Sequence, residues 1–219
     1  MSPTSTPSCI NTDAPGPTFP KSFDLTCPKG TDVYAAPHHG YIWTSPVIYY
    51  SLPNYSTFKS ARVSVAFNWI HTFDQAGLIL VYPSSNNPRP DASNADTKDV
   101  HPRWVKAGVE VEEGKPQISV VGRDGGWADW SLSTFPPTAG AAGNSVSATI
   151  EFERSDNSLK VFVHEGETKT MVREIQWVFD EPEKEKPLWI GVYAARPDPL
   201  KDAKGGLEVK FREFEVLVE

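Results

Sequence analysis

The stretch Arg103–Ser131, RWVKAGVEVEEGKPQISVVGRDGGWADWS, decides the fold. Apolar residues recur at alternate positions, which places them on one side of a pleated strand rather than on a helix face. The stretch reads as a strand, a turn, a second strand and the start of a third. With EGKP as the turn, Glu112 lies opposite Gln117, and Val111 meets Ile118, Val109 meets Val120 and Ala107 meets Gly122 on a core side. The same register sets Glu110 against Ser119 and Lys106 against Arg123 on the other side, with Trp104 near Gly125. Like charges facing across a strand pair are unfavourable, so Lys106 and Arg123 call for an anion. Glu110 lies on the same side, and Asp129 on the next strand, with Trp127 on its side of the pleat. A face that only meets water has little need of that mixture.

The rest of the chain keeps the same period. ARVSVAFNWI aligns Val63, Val65, Phe67 and Trp69, and QAGLILVY aligns Ala76, Leu78, Leu80 and Tyr82. The short HTFD segment between them predicts a hairpin, with Phe67 near Leu78, Asn68 opposite Gly77 and Ala66 opposite Ile79. VSATIEFE, LKVFVH, MVREIQW, LWIGVYA and LEVKFREFEVLVE supply further strands, with RSDN as a tight turn and DEPEKEKP as a charged loop. No amphipathic helix of useful length is present. The expectation is an all-β chain, a two-sheet sandwich or jelly roll around one core. Residues 1–21, rich in Pro, Ser and Thr, read as a flexible arm, and residues 22–219 as one domain. Pro83–Arg103 is a long polar connection with no pattern of its own, to be read either as a disordered insertion or as a lid over a site.

Composition narrows the function. The net charge of −7 and the lack of a dense Lys/Arg cluster argue against nucleic acid and anionic membranes as partners. The N-terminal stretch has neither a basic start nor an apolar run, so the expected location is cytoplasmic, with Cys9 and Cys27 as free thiols. Catalytic patterns are scarce. His38 and His39 point to opposite sides of a strand and cannot easily share a metal. There is no GxSxG nucleophile elbow and no phosphate-cradling glycine loop. Glu110 with Glu112, and Glu151 with Glu153, share faces, but neither pair reproduces the Glu-x-Asp-x-x-Glu arrangement of laminarinase-type enzymes. No metal and no cofactor are expected.

GTDVY (Gly30–Tyr34), HGY (His39–Tyr41), DQAGLIL (Asp74–Leu80), WVKAGVE (Trp104–Glu110), ISVV, DWS (Asp129–Ser131) and IGVYAARP (Ile190–Pro197) occur in an order and spacing that resemble the family of domain of unknown function 1349. That family lies within the concanavalin A-like lectin/glucanase superfamily. The resemblance runs from about residue 23 to the end and includes a fungal relative named for regulating enolase. It implies a jelly roll with a concave, ligand-facing sheet, and polar family positions at Asp32, His39, Gln75, Trp104, Lys106, Glu110 and Asp129. The long Pro83–Arg103 loop departs from the family, whose members connect these strands briefly.

Two functions follow as expectations. The first is a binding or regulatory module for a sugar or another small polar molecule, with a protein partner also possible. Asp32, Gln75, Trp104, Lys106, Arg123 and Trp127 would contact the ligand, with Glu110 and Asp129 adding hydrogen bonds. The second is a cofactor-free isomerase, cyclase or lyase, in which Glu110, with Asp129 or His39, moves a proton. A glycoside hydrolase ranks below both.

Overall fold

The computed structural model describes residues 1–3, 6–13, 21–135, 141–180, 186–197 and 205–219. Much of the expected N-terminal arm and most of the charged DEPEKEKP loop lie outside them. In chain order the strands are β1 (Ser8–Ile10), β2 (Phe23–Cys27), β3 (Val33–Ala36), β4 (Gly40–Trp43), β5 (Val47–Leu52) and β6 (Phe58–Asn68). There follow β7 (Gln75–Tyr82), β8 (Arg103–Glu112), β9 (Lys115–Arg123), β10 (Asp129–Thr134) and β11 (Ala141–Ala142). The chain closes with β12 (Ser145–Ser155), β13 (Ser158–Glu165), β14 (Thr168–Ile175), β15 (Leu188–Ala195) and β16 (Leu207–Val218).

Among the described residues these strands form two large antiparallel sheets and a small one. The first sheet runs β1-β5-β15-β7-β8-β9-β10 and the second β14-β13-β12-β6-β16-β2, with β11 attached to β12. β3 and β4 make a separate hairpin. This is the two-sheet jelly roll, and alternation explains how it closes. In β12, Val146, Ala148, Ile150 and Phe152 are buried while the intervening residues face outward. Val105, Ala107, Val109 and Val111 of β8 meet that layer from the opposite sheet in one continuous core.

Two pairings differ from expectation. β6 and β7 are not a hairpin: β6 lies between β12 and β16, with Asn68 against Ser145, and β7 lies between β15 and β8, with Gly77 against Tyr193 and Gly108. The intervening loop crosses from one sheet to the other because Phe73 takes a left-handed conformation (φ 67°) and Asp74 is buried against Arg196. The β8–β9 hairpin turns on Glu113–Gly114, both left-handed, so Glu112 faces Lys115. That register is displaced by two residues from the expected one. Every side chain keeps its face, but Lys106 now faces Val121 and Arg123 faces Trp104, and the expected clash of cations does not arise.

All residues of β7 and β15 are buried, so the middle of the first sheet is covered on both faces. On the side away from the main core, the β3–β4 hairpin and the Pro83–Pro102 loop lie over it. Val33, Trp43, Ile79, Val81, Ala95, Trp104, Val121, Trp189 and Tyr193 belong to a second apolar cluster there. The loop is folded by its own amides: the Asn87 side chain donates to Asn94 O, Asn94 Oδ1 and Val100 O. It is tied down by Trp43 Nε1 donating to Pro90 O and by Ala92 N donating to Asn11 Oδ1. Part of the expected N-terminal arm is also a strand, since β1 pairs with β5. No helix among the described residues is long and apolar enough to cross a membrane.

Candidate functional site

The uncovered part of this second face is a pocket of about 510 Å³. Its polar lining comes from Lys106 and Glu110 on β8 and from Asp32 just before β3; Tyr34, Ile42, Phe73, Val121, Trp130 and Pro197 supply the apolar lining. His39 stands exposed at its rim. Lys106 and Glu110 share a face because they are four residues apart on one strand. Between them lies Gly108, flanked by Gly77 across the strand pair. A Cβ at Gly108 would fall 2.0 Å from Ala76 O, so only glycine fits there.

A hydrogen-bonded chain connects the polar groups. Lys106 Nζ donates to Gln75 Oε1 at 2.7 Å and to Asp32 Oδ1 at 3.2 Å. Gln75 Nε2 donates to Glu110 Oε1 at 3.3 Å and to Phe73 O at 3.2 Å. Asp32 is locked in turn by Val33 N, which donates to Oδ1 at 2.7 Å. Lys106 is only 2% exposed, and its ammonium lies 5.6 Å from the Tyr193 ring centroid and 5.9 Å from that of Trp104.

Glu110 is 5% exposed, and its Oε2 has no hydrogen-bond partner in the protein. Burial raises its pKa above the usual carboxylate range; the Lys106 charge and the nearby Ser119 hydroxyl offset that only in part. The Tyr193 hydroxyl is likewise buried without a partner. Burial, and then the negative charge of Glu110 and Asp32, holds its pKa well above the ordinary phenol value. Trp130 Nε1 donates to Ser119 Oγ at 3.0 Å, and the Trp130 ring meets Phe73 edge-on at 6.1 Å.

Of the residues singled out in the sequence, Asp32, Gln75, Lys106 and Glu110 come together here, with His39 at the rim. The others lie elsewhere. Trp104 is fully buried, and its indole N–H donates to His101 Nε2 at 3.1 Å, so it offers no face to a ligand. The Arg123 guanidinium is a clasp on backbone carbonyls, donating to Lys98 O, His101 O, Pro102 O and Gly125 O. Trp127 stacks on Tyr41 at 4.9 Å. Asp129 pairs with Arg173 of β14, away from the pocket. The Pro83–Arg103 loop is not a lid over this pocket, since none of its residues lines it. Tyr34, Phe73, Trp130 and Tyr193 went unnoticed in the sequence. So did the pairing of Asp74 with Arg196, although both sit inside the quoted DQAG and AARP motifs.

Other depressions are less suited to a ligand. A groove of about 620 Å³ on the outer face of the second sheet is lined by Lys59, Glu151, Glu153 and Arg154. Its charges are largely engaged with neighbours, as in Lys169 with Glu153 and Arg154 with Ser56 O. Among the described residues no group of three or more His, Cys, Asp or Glu is placed to hold a metal ion.

Comparison with known proteins gives a family and a fold. The family described as "Protein of unknown function (DUF1349)" matches residues 17–217. "Uncharacterized protein AN7484" of Emericella nidulans is 39% identical over 194 residues, covering 88% of this chain and 84% of that protein. A functionally unknown protein from Saccharomyces cerevisiae superposes with a TM-score of 0.69 at 20% identity, over 98% of this chain and 97% of that one. Lectin I-B4 from Griffonia simplicifolia superposes with a TM-score of 0.51 at 10% identity, over 98% and 100% of the two chains, a likeness of fold alone.

Proposed function

The chain belongs to the DUF1349 family, whose description assigns no activity, and on that premise we propose that it is a binding module for a small polar molecule or carbohydrate. The observation that carries this reading is Glu110 Oε2, a buried carboxylate oxygen without a partner on the lining of a pocket of about 510 Å³. A buried acceptor left unpaired is costly, and a ligand donor offsets that cost. The volume lies within the range of small-molecule sites, and the mix of apolar walls with a few convergent polar groups is typical of them. The lectin-like fold supports a sugar as one such ligand.

Asp32, Gln75, Lys106 and Glu110 form the polar floor in this reading, Tyr34, Phe73 and Trp130 the apolar contact, and His39 the rim. Arg123 and Trp104 serve it indirectly, by holding the loop that covers the rest of the sheet.

Screening of the purified chain against metabolite and sugar collections by thermal shift and native mass spectrometry tests the proposal. Unchanged ligands that bind the wild type and are lost in Trp130→Ala support it. A compound returned chemically altered, with conversion stopped in Glu110→Gln, would replace it with the proton-transfer enzyme.

A further inference from the structure

The polar floor has a direction. Lys106 Nζ carries three protons; Gln75 Oε1 and Asp32 Oδ1 accept from it. Glu110 Oε1 accepts from Gln75 Nε2, and Oε2 stands free. The Gln75 amide thus bridges ammonium and carboxylate, presenting its oxygen as acceptor to one and its nitrogen as donor to the other. A pair of neighbouring hydroxyl groups offers the same alternation, since each can donate and accept.

Charge limits the class further. Lys106 is already paired with Asp32, and Glu110 flanks it on the same strand. An anionic ligand would be brought beside two carboxyl groups at a site where water screens poorly. A cationic one would be drawn by the carboxyl groups but has no acceptor to offer the Lys106 ammonium, whereas a hydroxyl, which accepts as well as donates, meets both ends of the floor. The apolar lining completes the match: Trp130 and Phe73 line the same pocket, their rings meeting edge-on at 6.1 Å, and aromatic rings take the C–H face of a saturated ring.

We infer that the pocket recognises a neutral polyhydroxylated ring through two adjacent hydroxyls, one donating to Glu110 Oε2 and its neighbour accepting from Lys106 Nζ, with a C–H face against Trp130. This rests on the binding-module reading above and names its ligand class.

The test is a titration of the isotope-labelled full chain, followed by amide chemical shifts at Lys106, Gly108, Glu110 and Trp130. The probes are cis-1,2-cyclohexanediol against cyclohexanol, and methyl glucoside against glucuronate and glucosamine. The expected result is that the diol binds where the mono-alcohol does not, and that methyl glucoside binds about tenfold more tightly than either charged sugar. Glu110→Gln should weaken methyl glucoside about tenfold while leaving the spectrum of the free protein folded. Tighter binding of glucuronate, or equal binding of diol and mono-alcohol, would overturn the inference and leave the pocket a binding site of another class. Silence of the pocket amides towards every probe, neutral and charged, together with failure of the wider screen, would remove the binding-module reading itself.

Discussion

Asp74 and Arg196 form a buried bidentate ion pair, with Nε to Oδ1 at 2.8 Å and Nη2 to Oδ2 at 2.9 Å. Asp74 Oδ2 also accepts from the backbone N–H groups of Ile70 and His71, and Arg196 Nη1 donates to Gly205 O and Gly206 O. Arg196 O accepts from Gly30 N at 2.8 Å. One pair therefore fixes the loop carrying Phe73, the approach to Asp32 and the position of Pro197, three parts of the pocket that come from distant stretches of sequence.

Removing one partner leaves the other as an unpaired charge in the interior. Asp74→Asn or Arg196→Met is expected to cost about 3–5 kcal/mol in urea unfolding. Replacing both, as in Asp74→Leu with Arg196→Met, should recover much of that cost, because no lone charge remains. A double variant as unstable as the sum of the singles would show that the pair's backbone contacts matter more than its charges.

The glycines of β8 and β9 make a sharper contrast. A Cβ at Gly108 would meet Ala76 O at 2.0 Å, whereas one at Gly122 would meet Trp177 Cζ2 at 3.5 Å, an ordinary contact. Gly108→Ala should therefore destabilise by about 3 kcal/mol, and Gly122→Ala by less than about 1 kcal/mol. Thermal unfolding of the two variants side by side decides it.

The all-β class and the face of each residue were legible because a period of two survives a register error of two residues. Lys106 and Glu110 fall on one face in either register, although an EGKP turn is two residues wider than the Glu113–Gly114 turn that forms. Which strands pair was not legible. β6 and β7 alternate alike and are joined by a few residues, and nothing local says that Asp74 will be drawn to Arg196. Trp104 and Arg123 misled for a related reason. Their surroundings depend on how Pro83–Pro102 folds, through Asn87, Asn94 and His101, and that stretch has no periodicity to read.

His101 gives that loop a dependence on pH. The indole N–H of Trp104 can only donate, so His101 Nε2 accepts and Nδ1 carries the proton, which it gives to Ala95 O at 2.7 Å. Burial, reinforced by the Arg123 charge and opposed by the Ala95 carbonyl, pulls the imidazole down to about 4 from its ordinary 6.5. Between those values the unfolded chain binds a proton that the folded chain refuses, so stability rises with pH across the window and is lost as pH falls through it. Going from about pH 7 to about pH 4.5, this group should withdraw roughly 2 kcal/mol. In His101→Phe that share of the decline should be missing, although the variant is weaker at neutral pH. Urea unfolding at both values measures it, and identical slopes for variant and wild type would exclude His101 as the cause.

Glu110 has the opposite sign. Its pKa is raised in the folded protein, chiefly by burial, so between the ordinary and the raised value the folded chain holds a proton that the unfolded chain has released. Stability contributed by this group is present below the ordinary carboxylate value and lost as pH rises through the raised one. At neutral pH the wild type therefore carries a penalty that Glu110→Gln lacks, while Lys106 stays neutralised by Asp32 in the variant. The variant should be more stable than wild type at neutral pH, with the gap closing in acid, and yet bind its ligand less tightly. Stability held back at one residue and recovered only by losing affinity is what a binding group, rather than a structural one, predicts. A Glu110→Gln protein less stable than wild type at neutral pH would instead make the carboxylate a strut for Gln75 and Lys106.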